Sequence, residues 1–180
     1  QRRIMPKLIA GIADKNATLF RRLGVSLGDP AAWIDSGSET LAIVRDLEMD
    51  RVRQNTTASS VSCPAAHAPE GGLSGDRETA TAQAVAEWFR QAGIKQVDVD
   101  RTLPYIYAYH LLEVGIELRF DAELGVIDRR MKSEQEIVAL TAAQNVTEAV
   151  MRQLCETVAN SSAGVDGTLV FQGETLTSER

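Results

Sequence analysis

The chain is 180 residues long, 44% apolar and 24% charged, and 19 Lys and Arg against 25 Asp and Glu leave a formal net charge of −6. That length suffices for one domain with a real core, and the ordinary balance of residues excludes a disordered tract, a collagen-like repeat or a mucin-like stalk. An acidic chain with no Lys/Arg run longer than two lacks the electrostatic footprint of a nucleic-acid binder or of a protein drawn to anionic membrane.

The apolar run Lys7–Ile12 has the length of a buried strand. After Asp14-Lys15-Asn16, the residues Leu19, Phe20 and Leu23 share a face of a helix over Ala17–Leu23, which Gly24 can end. Residues 31–35 and 40–45 flank Ser36-Gly37-Ser38-Glu39 and predict adjacent antiparallel strands. A short helix over 46–53 and a short strand over 58–62 follow. Residues 64–76 hold Pro64, Pro69, Gly71, Gly72 and Gly75, which makes them an exposed loop within one domain.

From Asp76 to Gly93 the pattern is helical: Val85, Trp88, Phe89 and Ala92 recur at spacings of three and four, with Gly93 just past the end. Trp88 is expected to face a sheet. Residues 96–100 alternate with period two, and a helix is predicted near Pro104, with the proline in its first turn and Tyr105, Tyr109 and Leu112 on its packed side before Gly115. Residues 116–120 supply a further alternating strand. Strands and helices that follow one another through short connections are the grammar of an α/β fold.

The strongest local signal is Ser133-Glu134-Gln135-Glu136, a capping box in which the serine hydroxyl and Glu136 satisfy opposite orphan backbone donors. Ile137, Leu140, Ala143, Val146, Val150, Leu154 and Val158 then form one apolar stripe, so 133–158 is predicted as a single helix that Asn160, Ser161, Ser162 and Gly164 end. At about 1.5 Å per residue it runs roughly 39 Å, more than a small domain covers, and its stripe around Val146, Val150 and Leu154 is expected to draw copies of the chain together.

Cys63 and Cys155 are the only cysteines, which excludes a disulfide framework and favours a reducing, cytoplasmic setting. No apolar stretch reaches bilayer-spanning length, and the first residues lack the apolar core and cleavage site of a signal peptide. The Asn-x-Ser/Thr matches at Asn16, Asn55, Asn145 and Asn160 are then chance matches, since the modification needs secretion.

No motif carries chemistry. His67 lies in the Pro/Gly-rich loop and His110 in a predicted helix, with no Cys-x-x-Cys, His-x-His or His-Glu-x-x-His spacing. Asp46 with Asp50, or Asp98 with Asp100, could share a metal or a proton, but solvated acidic faces explain them as well. Gly71-Gly72-Leu73-Ser74-Gly75 lacks the lysine of a phosphate loop and the glycine spacing of a dinucleotide turn. Cys63 and Ser74 lack a recognisable activating partner, His67 standing four residues from Cys63. Tyr105 and Tyr109 share a helical face and Tyr107 does not; these tyrosines, like Trp33 and Trp88, are read as packing residues.

The order of features resembles the amino-terminal domain of the creatinase, prolidase and aminopeptidase P group. Its carriers are Asn16 to Leu23 before a hairpin, Val44-Arg45-Asp46-Leu47-Glu48-Met49-Asp50-Arg51, the Ala92-Gly93-Ile94 turn and, above all, Arg129-Arg130-Met131-Lys132-Ser133-Glu134-Gln135-Glu136-Ile137. That last segment is similar to the group's Arg-x-x-Lys-Ser/Thr-x-x-Glu-Ile junction, which precedes the first helix of the catalytic "pita-bread" domain.

The resemblance implies a mixed sheet flanked by helices over residues 1–130, and a junction with the beginning of the catalytic domain over 131–180. It implies a domain that shapes a substrate cleft and contributes to dimer contacts without cleaving bonds. The group's two divalent metal ions are held by aspartate, histidine and glutamate farther along, so no residue here is assigned as catalytic, cofactor-binding or metal-binding. The chain then reads as a piece of a longer protein, with Thr177 or Ser178 placed to cap a further helix. The parent is expected to hydrolyse small Xaa-Pro peptides, the metals activating water and polarising the carbonyl. Its implied partners are the downstream catalytic domain, a second copy and a small peptide. Three alternatives stay open: a creatinase-like hydrolase, an interaction protein derived from the group, and an independent α/β module that binds a small molecule at its strand ends.

Overall fold

The computed structural model describes residues 5–177, which form two compact units dividing between Met131 and Lys132. The first unit runs β1 (Lys7–Ile12), α1 (Ala17–Leu23), β2 (Pro30–Asp35), β3 (Thr40–Ile43), a 3-10 turn (Asp46–Glu48), α2 (Met49–Arg53) and β4 (Ser60–Ser62). A second 3-10 turn (Pro64–His67), α3 (Arg77–Gln91), β5 (Gln96–Val99), α4 (Tyr105–Glu113), β6 (Glu117–Phe120) and α5 (Val126–Arg130) complete it. The strands make one mixed sheet in the order β4-β3-β2-β1-β5-β6. β2 pairs antiparallel with both β1 and β3, whereas β1 with β5, β5 with β6 and β3 with β4 are parallel.

Both faces of the sheet are covered, which is why its central strands read as continuous apolar runs. Successive side chains point to opposite faces. Leu8, Ala10, Ala32, Ile34, Ile43 and Val97 therefore pack with Val85 and Phe89 of α3 and with Tyr107 and Leu111 of α4. Ile9, Ala31, Trp33, Ala42 and Val44 face the other way, onto Leu19 and Leu23 of α1, Val52 of α2 and Leu124. A one-residue slip of β1 against β2 would exchange these two sets, so the register Ile9 opposite Trp33 is strongly specified.

Local chemistry sets the helix ends. The Asn16 carboxamide oxygen accepts from the backbone of Thr18 and Leu19 to start α1, so the first of the Asn-x-Ser/Thr matches is a buried cap. Gly24 ends the helix at φ 73°, and a Cβ there would stand 2.4 Å from the Asn55 carbonyl oxygen. Asp76 caps α3 through the Thr79 amide.

Three expectations about facing are corrected. Phe20 lies on the exposed side of α1, beside the buried Leu19 and Leu23. In α3 it is Phe89 that is fully buried; Trp88 sits half-buried on its flank, its ring edge-on to Phe89 at 5.1 Å. In α4 the predicted packed set is the outer one, with Tyr105, Tyr109 and Leu112 exposed by 78%, 45% and 56%, while Tyr107 and Leu111 are inside. Nearly every position from Tyr105 to Leu112 is apolar, so periodicity selects no face and packing against α3 and β6 does. Pro104, moreover, is the N-cap of α4 in extended conformation, not a first-turn residue.

The second unit holds α6 (Glu134–Ala159) and an antiparallel meander of β7 (Ser162–Ala163), β8 (Leu169–Phe171) and β9 (Glu174–Thr175). Both hydrogen bonds of the Ser133/Glu136 capping box are present. No residue of α6 is buried, its apolar stripe included. The meander was not predicted, because strands of two and three residues leave no readable alternation. Its tight turn uses Gln172 and Gly173, both at positive φ, as a two-residue hairpin requires. Thr177, one of the two residues predicted to cap a further helix, is the last described residue, and Ser178 with the helix itself falls outside the described residues.

Candidate functional site

The most built polar feature lies where β1 and β5 end. These neighbours are parallel, but Leu8 opposite Val99 is their last pair, so β1 overhangs β5 by Ile9 to Ile12. From there the chain departs in opposite directions, β1 through α1 to β2 on one side and β5 through α4 to β6 on the other. Open α/β sheets characteristically hold ligands in the crevice that such a divergence leaves at the carboxyl ends of the strands.

The crevice here has a volume of about 200 Å³. Ala10, Gly11 and Ile12 line it from the overhang, and Thr102 and Pro104 from the loop after β5. Gly11 holds φ 134°, a backbone conformation that side-chain-bearing residues rarely adopt, and the Pro104 ring packs beside it at ordinary contact distance. Asn16 is buried and donates through Nδ2 to Thr102 Oγ1 at 2.8 Å; Thr102 in turn donates to Asp100 Oδ2. The other Asp100 carboxylate oxygen is buried with no hydrogen-bond partner among the described residues. Exposed Lys15 and half-buried Glu78 complete the lining.

The acidic pairs considered from the sequence are employed separately. Asp98 is buried in a two-bond pair with the Arg119 guanidinium at 2.5 and 2.7 Å, and Asp100 belongs to the Asn16 network. Asp50 pairs with Arg53 at 2.8 Å. Asp29, which sequence reading passed over, bridges Arg45 at 3.0 Å and Arg77 at 3.1 Å; the Arg45 hydrogen bond foremost holds its carboxyl below the usual range.

His67 meets Ser62 Oγ at 2.9 Å, not Cys63, and partial burial lowers its pKa. His110 Nδ1 is 3.1 Å from Glu113, beside a second small crevice that Glu87 also lines. Glu87 accepts from Arg90 at 2.6 and 2.7 Å, a contact that pulls its carboxyl down to about 2. The glycine loop satisfies itself: Ser74 N–H donates to Gln83, Asp76 N–H to Ser74 Oγ, and Gly72 N–H to the Pro69 carbonyl. Trp33 is a core residue with the Arg22 guanidinium 4.5 Å above its ring, and burial raises the Tyr107 pKa. Cys63 and Cys155 are both free thiols.

Among the described residues no group of three or more His, Cys, Asp or Glu side chains is placed to hold a metal ion. Nor is any helix among them long and apolar enough to cross a membrane.

No protein-family model and no curated protein matches the sequence. Solved structures do. The Xaa-Pro dipeptidase from Bacillus anthracis superposes with a TM-score of 0.63 at 15% identity, covering 91% of this chain and 41% of its own. This is the fold of the creatinase and prolidase amino-terminal domain. The prolidase from Pyrococcus horikoshii gives 0.59 at 18% identity over 92% of this chain and 42% of its own, and the X-Pro aminopeptidase from Thermotoga maritima 0.59 at 17% over 89% and 42%. The chain thus spans about two-fifths of the length of these structures. At such identities the likeness is one of fold, a mixed sheet flanked by helices, as the resemblance implied.

Proposed function

We propose that these residues are the amino-terminal part of a metal-dependent peptidase acting on small Xaa-Pro peptides, and that they shape its substrate cleft and contribute to dimer contacts without carrying out hydrolysis. The observation that carries this reading is the superposition of some nine-tenths of the chain on two-fifths of a prolidase and an Xaa-Pro dipeptidase. In this reading residues 1–130 are the amino-terminal domain and 131–180 open the catalytic one, whose metal ligands lie beyond residue 180. The cytoplasm is the compartment proposed, in keeping with two free thiols.

The test compares the 180-residue chain with a longer protein that carries it and the sequence that follows. The longer protein should hydrolyse Xaa-Pro dipeptides and lose that activity to a chelator; the 180-residue chain should fold equally with and without chelator and turn nothing over. Creatine hydrolysis by the longer protein would move the assignment to the creatinase branch. Absence of any hydrolysis, with no metal bound, would make the protein an interaction partner and defeat the proposal.

A further inference from the structure

We propose that the free edge of β6 is a docking strand for a second copy of this chain, the two β6 strands pairing antiparallel about a two-fold axis at Leu118. β6 ends the six-stranded sheet and, among the described residues, pairs only with β5. The Glu117 and Asp121 N–H groups donate to the Lys95 and Val99 carbonyls on the β5 side, at 2.8 and 3.0 Å. The alternation of a strand then turns the N–H and C=O groups of Leu118 and Phe120 outward. Glu117, Arg119 and Phe120 are exposed, Phe120 by 65%. An open edge is a template for another strand, and charges blunt it when they repel a copy of themselves. Here Glu117 and Arg119 are opposite in sign and two residues apart on one face of the strand, so a copy can match them.

Because only the even-numbered residues face outward, a symmetric pair of edges can centre on Leu118, Arg119 or Phe120. Centred on Leu118, the pairing sets Glu117 opposite Arg119 of the second copy, twice over, and keeps all of β6 in the ladder. Centred on Arg119, it sets that arginine opposite itself and Glu117 opposite Asp121. Centred on Phe120, it runs past the strand into a turn where the Asp121 carboxylate already accepts from the Glu123 amide at 2.9 Å. Opposite charges directly across two strands stabilise and like charges destabilise, so charge complementarity selects both the occupant and the register. Arg119 spends Nε and Nη2 on Asp98, which fixes its guanidinium on this face of the sheet and leaves Nη1 for the second copy's Glu117. Leu118 packs on the core beneath α3 and α4, and Phe120 shares that side of the strand. Phe120 would stand opposite Ile116 of the second copy, near the end of that copy's α4, where Leu112 is exposed. β4, the other edge, is Ser-Val-Ser and has no charges to match. A strand of four residues makes a small, transient contact by itself. The inference names a surface for the dimer contacts proposed above, and rests on that reading for its place in a longer protein.

Disulfide trapping tests the register in the 180-residue chain, with Cys63→Ser, Cys155→Ser, Val150→Glu and Leu154→Glu keeping the native thiols and α6 out of the reaction. A directly opposed pair without ladder bonds stands about 4.5 Å apart at Cα, within disulfide reach, and diagonal neighbours about 7–8 Å, beyond it. A mixture of Glu117→Cys and Arg119→Cys chains should therefore cross-link at least about tenfold faster than either chain alone. Adding Glu117→Arg to the Arg119→Cys chain replaces the remaining Glu–Arg pair with two arginines and should slow the mixture roughly fivefold. Since Arg119→Cys removes the partner of Asp98, amide exchange supplies a second measurement with Arg119 in place. In the Val150→Glu, Leu154→Glu chain the Leu118 amide should exchange severalfold more slowly in concentrated than in dilute solution, and Glu117→Arg should erase that difference. Equal cross-linking in all three samples, self-linking of the Arg119→Cys chain, or a Leu118 amide indifferent to concentration would overturn the proposal. A longer protein that dimerises while its Leu118 amide exchanges as in the dilute chain would likewise overturn the edge and leave the dimer reading standing; trapping in this register beside a monomeric longer protein would do the reverse.

Discussion

The two units use apolar residues in opposite ways. In the first, both faces of a six-stranded sheet are shut under helices, and Leu8, Ile9, Ile34, Ile43, Phe89 and Tyr107 are wholly inside. In the second, α6 carries Ile137, Leu140, Val146, Val150, Leu154 and Val158, each more than half exposed. The same residue types make a core in one place and an uncovered stripe in the other. Hydrophobic content therefore does not measure stability; apolar area removed from water does.

The largest expected effect follows from that contrast. Phe89→Ala should destabilise the first unit by about 3–5 kcal/mol through lost transfer energy and a residual cavity, whereas Leu154→Ala should change stability by no more than about 0.5 kcal/mol. Trp88→Ala should fall between them, since that ring is only half-buried. Urea denaturation followed by circular dichroism checks all three, and equal losses at Phe89 and Leu154 would erase the distinction.

Next comes the stripe itself. The 180-residue chain should self-associate through α6, and the double change Val150→Glu, Leu154→Glu should return it to monomer in sedimentation experiments while leaving the first unit's unfolding midpoint in place. A chain that is monomeric from the start, or an assembly indifferent to both substitutions, would show that the stripe drives nothing.

A smaller effect is confined to the helix start. Ser133→Ala removes the cap on the Glu136 amide and should cost α6 about 1 kcal/mol, seen as faster amide exchange over the first helical turn with none in α3. The smallest is a pH effect in the first unit. With its carboxyl pulled from the ordinary 4.5 to about 2 by Arg90, Glu87 contributes stability that is complete above 4.5 and is lost as pH falls from there towards 2. Glu87→Gln should therefore lower the thermal midpoint slightly at pH 7, and the gap should close on acidification; a gap that widened in acid would contradict the pairing.

Much of the fold was legible where local chemistry and burial agree. Asn16 and Gly24 bracket α1, Asp76 opens α3, and Ser133 with Glu136 starts α6, because each signal satisfies backbone groups within a few residues of itself. The candidate site was not legible in the same way. Asn16 and Thr102 are 86 residues apart and touch only because β1 and β5 become parallel neighbours. Lys15 and Glu78 carry no motif that would set them apart from other surface charges, and Asp29 meets its two arginines only in the folded chain.

Sequence by itself determined the element order through β6, the α/β class, the long capped helix and the acidic, metal-motif-free character of these residues, since composition, spacing and caps act over short stretches of chain. Tertiary structure alone decided which face of α4 goes inside, that Phe89 rather than Trp88 fills the core, and that β1 outruns β5 to leave a crevice between their ends. Those outcomes depend on how distant segments compete for one sheet surface, and a helix that is apolar on most sides, such as Tyr105–Glu113, has no preferred orientation until its neighbours are in place.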